Sequence, residues 1–313
     1  MTNKESNFVS AVVYLHNEQQ RVGAFLARLG EFLSGRFSRY EIICVDDGCT
    51  DGTVDLVRGF CAGQAAPVTV IHMSLRQGPE LCMNAGLDMA IGDFVYEFDS
   101  ASLAWPEHLL GEAYDMALGQ NRDIVAAAPA GSARLTSRLF YGVFNRCAPA
   151  GVHPLRSEAF RLLSRRAINR VHAVSSHLPY RKAAYAFSGL GYGVLEYPGK
   201  AVDSLQGRRF GQAVDSLVLY TDAGYRISLS IAVAMLLLTL AELVYTLVVY
   251  LGGRPVDGWT TTMLVLTVGF FGLFCILAIV IKYLSLLTEL VFKQQKYLVE
   301  GVEKLPTCAD RAD

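Results

Sequence analysis

The sequence lacks several features that would place it at once in a functional class. Its seven cysteines show no Cys-x-x-Cys spacing, so they fit reduced thiols rather than a zinc ribbon or a dithiol redox motif. The net charge is only −1, so bulk electrostatics predicts no nucleic-acid partner. Met1 to Asn7 is polar and the next apolar segment is only strand-length, so we expect no signal peptide. We find no internal repeat and no low-complexity linker.

Apolar residues, in contrast, make up 52% of the chain and are concentrated in its last third. The stretches Ile227 to Leu251 and Trp259 to Tyr283 each exceed the roughly 20 residues that a helix needs to cross a bilayer. We therefore predict two transmembrane helices, at 227–251 and 259–283, with buried core helices as the alternative. Basic residues flank the pair, whereas the connecting loop carries only Arg254, which predicts that both termini lie in the cytoplasm.

Strand-like and helix-like segments alternate through the first half of the chain. Short runs rich in β-branched residues, such as Phe8 to Tyr14 and Val68 to Met73, are each followed by a helical pattern. Four such units, with a fifth strand at Asp123 to Ala127, imply a mainly parallel, doubly wound α/β sheet. Ligands bind beyond the carboxyl ends of such strands, so the polar residues that end each strand should line one edge and form the site.

The nine-residue stretch Val45 to Thr53 is the strongest candidate for a binding turn. An apolar run stops there at Asp46, Asp47 and Gly48, and a helix-compatible segment begins at Thr53. Paired carboxylates at the end of a strand suit a sugar-nucleotide better than a bare phosphate. The alternative is that Asp46 and Asp51 only cap the turn and the following helix.

The order of these features resembles the family 2 glycosyltransferases of the GT-A fold, and more narrowly the polyprenyl-phosphate glycosyltransferases related to dolichol-phosphate mannose synthase. The motifs that carry the resemblance are Tyr14 to Glu18, Val45 to Thr53, Ala85 to Asp88, Asp99 with Pro106 and Glu107, and Phe160 to Leu162. The resemblance implies a GT-A α/β domain at 1–204, an interfacial helix at 205–226, the two transmembrane helices, and a tail helix within 284–313.

The resemblance also implies roles for individual residues. Those expected to bind the nucleotide-sugar are Asn17, Glu18, Asp46, Asp47, Arg76 and Asp99. Those expected to carry catalysis are Asp99, Arg161 and Glu158, and those expected to face the lipid phosphate are Arg138, Arg208 and Arg209. Asp99 would also bind a Mg²⁺ or Mn²⁺ ion together with the substrate diphosphate.

Two alanines depart from the family pattern. Ala101 stands where the family has its second metal-side aspartate, and Ala159 stands where it has an aspartate just before Phe-Arg-Leu. The metal would therefore depend on Asp99 and the substrate phosphates alone. The obvious general base is missing as well, although a lipid phosphate is already an anion and needs little deprotonation.

We predict an inverting transferase that moves a sugar from a UDP- or GDP-linked donor to a polyprenyl phosphate. It would act at the cytoplasmic leaflet of the inner or plasma membrane, with the bilayer and further copies of itself as partners. One alternative is a catalytically degenerate domain that serves as a membrane-bound binding or scaffold subunit, suggested by Ala101 and Ala159. The other is a polysaccharide synthase-like transferase, because Gln206 to Phe210 resembles the Q-x-x-R-W motif.

Overall fold

The structure is a computed structural model that describes residues 4–61, 66–131, 152–174, 180–199 and 297–306, most of 141–146, and scattered positions between 230 and 287. The chain divides into two units, Met1–Ala213 with Gln295–Asp313, and Val214–Gln294. Every element named below belongs to the first unit.

Strands and helices alternate along the described residues of this unit. The strands are β1 (Glu5–Leu15), β2 (Phe37–Asp46), β3 (Val68–Met73), β4 (Phe94–Phe98), β5 (Ile124–Pro129), β6 (Phe160–Ser164), β7 (Tyr192–Tyr197) and β8 (Val299–Leu305). The helices are α1 (Gln19–Arg36), α2 (Thr53–Cys61), α3 (Pro79–Met89), α4 (His108–Gly119), α5 (Arg165–Val174) and α6 (Arg181–Phe187).

All eight strands form one sheet in the order β7-β5-β6-β4-β1-β2-β3-β8. The central strands β4, β1, β2 and β3 are parallel, as the alternation of strands and helices predicted. The sheet as a whole is mixed, because β6 runs antiparallel to both β4 and β5 and β8 runs antiparallel to β3. The other six strands run in one direction, since β5 and β7 also pair in parallel, so the predicted mainly parallel sheet is modified by the two antiparallel strands β6 and β8.

The central strand β1 is buried on both faces because helices cover both sides of the sheet. Val9, Ala11, Val13 and Leu15 pack in a core with residues of α1 and α4. Val12 and Tyr14 point to the other face, into a core with residues of α3 and α5. The nearly continuous apolar sequence of β1 is the pattern expected of a strand covered on both faces.

Gly86, in the Ala-Gly-Leu motif, allows α3 to lie close against the sheet. A Cβ at this position would lie 2.3 Å from Cγ1 of Val12 and 3.0 Å from Cγ2 of Val45. The glycine of this motif therefore lets α3 pack closely against β1 and β2.

The carboxyl-terminal part of the prediction needs correction. In the part of the chain that the structure describes, no helix is long and apolar enough to cross a membrane. The fold class with two transmembrane helices at 227–251 and 259–283 is therefore wrong for this part, and most residues of those stretches lie outside it. The predicted interfacial helix at 205–226 lies wholly outside the described residues.

The tail helix predicted within 284–313 is wrong where the chain is described, because Val299–Leu305 forms the edge strand β8. Gly301, Glu303 and Leu305 are more buried than their neighbours, so the strand alternates with a period of two. Residues 299–305 pair with β3, and this long-range pairing is what makes the segment a strand.

Candidate active site

The parallel centre of the sheet brings most of the predicted binding residues to one edge. Asn17 and Glu18 follow β1, Asp46 ends β2 and Asp47 follows it, Arg76 follows β3, and Asp99 follows β4. Because these four strands are parallel and neighbouring, their carboxyl ends meet at the same edge. The expectation of a common edge is met for these residues.

Asp47 is fully buried and holds the loop that follows β3. Its Oδ1 accepts a hydrogen bond from the backbone N–H of Gln77 at 2.6 Å, and its Oδ2 accepts from the N–H of Gly78 at 3.0 Å. The hydroxyl of Tyr14 also donates to Oδ2 at 2.8 Å. Both oxygens are thus bound within the protein, so Asp47 positions the loop rather than presenting a free carboxylate.

Asp46 is bound within the protein in the same way. Its Oδ1 accepts from the N–H of Cys49 at 2.8 Å, which closes the turn, and its Oδ2 lies 2.9 Å from Nδ1 of His72. Gly48 between them has a positive φ of 67°, the conformation that favours glycine. The capping alternative raised from the sequence therefore describes what Asp46 does in this structure.

Glu18 differs from these acids, because its carboxylate accepts no hydrogen bond from the described residues. Its nearest cation among them is Arg21, at 3.7 Å, while its backbone N–H donates to Oγ1 of Thr53 at 2.9 Å. Burial raises the pKa of the Glu18 carboxyl, and Arg21 only partly offsets this. Glu18 is thus a fixed, half-buried carboxylate with open acceptor positions, which suits the hydroxyl groups of a ribose.

Asn17 and Arg76 lie on two loops at the same edge of the sheet as Glu18. Asn17 takes a left-handed backbone conformation, with φ of 55°, and its Oδ1 accepts from the N–H of Thr50 at 2.8 Å. Arg76 is exposed, and its guanidinium makes no hydrogen bond to any described residue. Its backbone N would lie 3.9 Å from a Cβ placed on Gly48, so the loop that Asp47 holds carries Arg76 past the binding turn.

Asp99 belongs to a second group, which we call the arginine–carboxylate cluster. Its members are Glu80, Glu97, Asp99, Glu158, Arg161 and Arg181. Glu80 lies in α3, Glu97 in β4 and Asp99 in the turn after it. Glu158 precedes β6, Arg161 lies in β6 and Arg181 begins α6. The tertiary structure therefore assembles this cluster from segments far apart in sequence.

Arg161 uses all three of its guanidinium nitrogens within the cluster. Nε donates to Glu97 at 2.8 Å, Nη2 to Asp99 at 2.8 Å, and Nη1 to Glu158 at 3.2 Å. Its side chain is only 1% exposed. Arg161 therefore holds three carboxylates together inside the protein and presents almost no surface to a substrate, which favours a positioning role over the predicted catalytic one.

Arg181, which the sequence analysis missed, bridges three carboxylates in the same way. Nε donates to Glu80 at 2.9 Å, Nη1 to Glu97 at 2.7 Å, and Nη2 to Asp99 at 2.7 Å. Its backbone N–H also donates to Glu80 at 3.0 Å. A buried charge is tolerated only when it is paired and fully hydrogen-bonded, and Arg161 and Arg181 satisfy Glu97 jointly.

The two arginines fix Asp99 as an anion at the mouth of the cluster. Each of its oxygens accepts from a different guanidinium, and its side chain is 21% exposed. Burial alone would raise the pKa of Asp99, but the charges of Arg161 and Arg181 hold it well below its usual range. Glu158, also predicted as catalytic, is 5% exposed and bound by Arg161 and by the hydroxyl of Tyr192.

The residues around Asp99 do not fit the divalent metal ion that the resemblance implied. Ala101, at the expected second ligand position, is fully buried in the apolar core and offers no donor. Both oxygens of Asp99 already accept hydrogen bonds from guanidiniums, so they are not open to coordinate a metal ion. Among the described residues, no group of three or more His, Cys, Asp or Glu side chains could hold a metal ion. We derive no step through a metal.

All three residues predicted to face the lipid phosphate, Arg138, Arg208 and Arg209, lie outside the described residues. Ala159, the second departure from the family pattern, is partly buried against the apolar core, and its N–H donates to the carbonyl of Ala127 at 2.8 Å. The described residues therefore place no acid at the position where the family has its general base.

Comparison with known proteins identifies the family. A family model described as "Glycosyl transferase family 2" matches residues 10–185, more than half of the 313 residues. The chain belongs to glycosyl transferase family 2. The matched range contains both the binding turn and every member of the arginine–carboxylate cluster, and it supports the assignment of the protein as a glycosyltransferase.

Individual relatives agree with this family. An uncharacterized glycosyltransferase of Synechocystis sp. is 29% identical over 187 residues, which cover 58% of each chain. The undecaprenyl-phosphate 4-deoxy-4-formamido-L-arabinose transferase of Aeromonas hydrophila is 28% identical over 109 residues, covering 35% of this chain and 33% of the relative. The chain thus spans less than two thirds of the length of these curated relatives.

A solved structure shows the same fold. Glucosyl-3-phosphoglycerate synthase from Mycobacterium tuberculosis matches with a TM-score of 0.51 and 16% identity, over 69% of this chain and 80% of that one. At this identity the likeness concerns the fold alone. The predicted GT-A type α/β domain is confirmed, and its sheet is mixed because β6 and β8 run antiparallel to the other six strands.

Proposed function

We propose that this glycosyltransferase moves a sugar from a nucleoside diphosphate sugar to a polyprenyl phosphate at the cytoplasmic face of a membrane. The observation that carries the proposal is the placement of Glu18, Arg76 and the fixed anion of Asp99 at one edge of the sheet, where no described residue donates a hydrogen bond to the Glu18 carboxylate or pairs with Arg76. Support for the acceptor comes from the relative named as an undecaprenyl-phosphate sugar transferase.

On this proposal, Glu18 accepts hydrogen bonds from the ribose and Arg76 binds phosphate oxygens of the donor. An oxygen of the lipid phosphate attacks the anomeric carbon as the bond from that carbon to the donor diphosphate breaks. The nucleoside diphosphate leaves with the bonding electron pair, and the anomeric configuration inverts. The acceptor is already ionised, so the step needs no protein base, and none is needed at Ala159.

Asp99 would act on the sugar itself. Positive charge develops at the anomeric carbon as the leaving group departs, and a preorganised carboxylate stabilises such charge without reorganising. Arg161 and Arg181 prevent protonation of Asp99 and fix its position, and Glu97 lies between them fully buried. The other members of the cluster thus position the carboxylate of Asp99 in the active site.

The dependence on metal should be weak. A solved complex of the Mycobacterium tuberculosis synthase contains Mn²⁺ and uridine diphosphate, and that protein matches this chain with a TM-score of 0.51. Here Asp99 is the one carboxylate at the expected position, and both its oxygens are engaged. We expect EDTA to lower turnover less than about tenfold, because a single shared carboxylate is a poor site for Mg²⁺ or Mn²⁺.

The direct test is a transfer assay with the purified full chain. The protein is incubated in lipid vesicles containing polyprenyl phosphate with a panel of UDP- and GDP-sugars, and glycolipid is detected by mass spectrometry. We expect product with one donor and loss of product in Asp99→Asn. Normal turnover of Asp99→Asn would show that Asp99 is not in the site.

A second candidate, a nucleotide-binding domain without transfer activity, is favoured by the buried alanines at 101 and 159 and by the engagement of Glu158. Nucleoside diphosphate binding without glycolipid from any donor would support it over the enzyme. The polysaccharide synthase alternative rests on residues 206–210, which lie outside the described residues.

A further inference from the structure

Two guanidiniums bind Asp99, and the residue that follows one of them in the chain is a lysine. Arg161 and Arg181 are each 1% exposed, and every one of their guanidinium nitrogens donates to a carboxylate. Lys182, the next residue of α6, is only partly buried. Within the part of the chain that the structure describes, its ammonium makes no hydrogen bond and no ion pair. It therefore keeps three donors available for a ligand.

Lys182 follows Arg181 at the start of α6, and Nη2 of Arg181 donates to Asp99 at 2.7 Å. Its charge contributes to lowering the pKa of Asp99, after the larger contributions of the two arginines. Burial lowers the pKa of Lys182, but nearby groups, Tyr141 first and then Glu158 and Asp99, outweigh burial and raise it. Lys182 is therefore a charged ammonium at neutral pH.

The arginine–carboxylate cluster contains more negative than positive charges. Four carboxylates, Glu80, Glu97, Asp99 and Glu158, face only two guanidiniums, so the cluster by itself repels an incoming phosphate. A divalent ion would normally offset such repulsion, but Ala101 supplies no second ligand for one. A cation with open donors at this end of the site would offset the same repulsion.

Arg76 is placed too far along the sheet edge to meet this need. It follows β3, whereas Asp99 follows β4, and β1 and β2 lie between those strands. Three strand spacings separate the two positions at the level of the sheet, roughly 14 Å. Arg76 and Lys182 are therefore suited to opposite ends of an extended ligand.

We propose that Lys182 is a phosphate-binding residue of the active site, where its ammonium takes the place of a divalent cation beside Asp99. The inference rests on the proposed function and adds a residue to it. The phosphate belongs either to the diphosphate of the donor or to the acceptor lipid, and an ammonium binds both by the same chemistry.

The test compares Lys182→Gln, which removes the charge, with Lys182→Arg, which keeps it. The control is Lys4→Gln, which removes one exposed positive charge before β1, at the opposite end of the parallel strands. Calorimetry in EDTA measures the affinity of each protein for UDP, GDP, uridine and guanosine. Vesicle assays then measure KM for polyprenyl phosphate, and circular dichroism checks that each variant is folded.

If the phosphate is that of the donor, Lys182→Gln weakens nucleoside diphosphate binding about tenfold and leaves nucleoside binding unchanged. If it is that of the acceptor, nucleotide binding stays normal and KM for polyprenyl phosphate rises about tenfold. In either case Lys182→Arg, which keeps the charge, retains most of the wild-type affinity. Lys4→Gln behaves as wild type.

The inference is overturned if Lys182→Gln matches wild type in both measurements, or if it weakens nucleoside and nucleoside diphosphate binding equally. Equal weakening would mean that the lysine only supports the fold of the site. Failure of the wild-type protein to bind any nucleotide would instead refute the proposed function, and the inference with it. The two failures are therefore told apart by the wild-type protein alone.

Discussion

Two acidic regions at the same sheet edge are stabilised in different ways. At the binding turn, the carboxylate of Asp47 is satisfied by backbone N–H groups of Gln77 and Gly78, and that of Asp46 by the N–H of Cys49. In the arginine–carboxylate cluster, Glu97 and Asp99 are satisfied by side chains 62 to 84 residues away in sequence.

The difference has consequences for stability and for function. A carboxylate that accepts hydrogen bonds from loop amides fixes the backbone of that loop. Removal of such a carboxylate therefore disturbs one loop. A carboxylate bound by buried guanidiniums is one part of a network in which removing either partner leaves an uncompensated charge. Substitutions in the first region should therefore lower the free energy of unfolding less than substitutions in the second.

The largest effect is expected for Arg181→Ala. It leaves Glu80, Glu97 and Asp99 with fewer donors in a buried site, and loss of one partner of a buried ion pair costs about 3–5 kcal/mol. Urea unfolding measures the free energy. The control, Arg170→Ala, removes an exposed arginine of α5 and should change it by less than about 0.5 kcal/mol. Equal stabilities of the two variants would contradict a structural role for the cluster.

A smaller loss is expected for Asp47→Ala at the binding turn. The substitution leaves two backbone donors and the buried Tyr14 hydroxyl without their acceptor, at a cost of about 3 kcal/mol. Because the loop that carries Arg76 is released, nucleotide binding should weaken as well. The matched variant Asp55→Ala removes an exposed acid paired with Arg58 and should cost less than about 1 kcal/mol. If nucleotide binding survived in Asp47→Ala, the loop would not belong to the site.

Glu18→Gln should separate function from stability at the same turn. Its carboxylate accepts no hydrogen bond from the described residues, so the amide should fold with unchanged stability. Affinity for UDP or GDP should fall about tenfold if the ribose hydroxyls donate to Glu18. Calorimetry measures this, with exposed Glu31→Gln as control. A drop in stability as large as that of Asp47→Ala would assign Glu18 to the fold instead.

The smallest effect concerns the attachment of β8. Nδ1 of His72 lies 2.9 Å from Asp46 and Nε2 lies 3.1 Å from Glu303 on β8. Burial lowers the pKa of His72, but these two hydrogen bonds outweigh burial and raise it. The stabilisation is therefore complete below the ordinary pKa of about 6.5 and is lost as pH rises through the raised value in the folded protein.

Hydrogen exchange of the β8 amides measures this attachment. Exchange, corrected for its intrinsic pH dependence, should show weaker protection at about pH 9 than at about pH 6, by less than about 1 kcal/mol since the groups are partly exposed. His72→Gln should abolish the difference. A pH dependence that persists in His72→Gln would place the titrating group elsewhere.

The elements that local patterns describe were predicted well. β1, β2, β3 and β4 follow from short apolar runs, and the turn at Gly48 follows from its own residue types. Asp99 could be located because it ends such a run. Arg181 could not, because Tyr180 to Phe187 carries no motif, and the single charge of Glu97 inside an apolar strand was the one signal that a buried partner existed.

The amino-acid sequence alone predicted the alternation of strands and helices and the edge that the parallel strands share. It also predicted that Glu18, Asp47 and Asp99 lie at this edge. These features depend on residues that are neighbours in the chain. The antiparallel strands β6 and β8, the engagement of Asp47 by a distant loop, and the pairing of Asp99 with Arg161 and Arg181 arise from contacts between remote segments. Such contacts depend on packing and on the burial of charge, which no local pattern encodes.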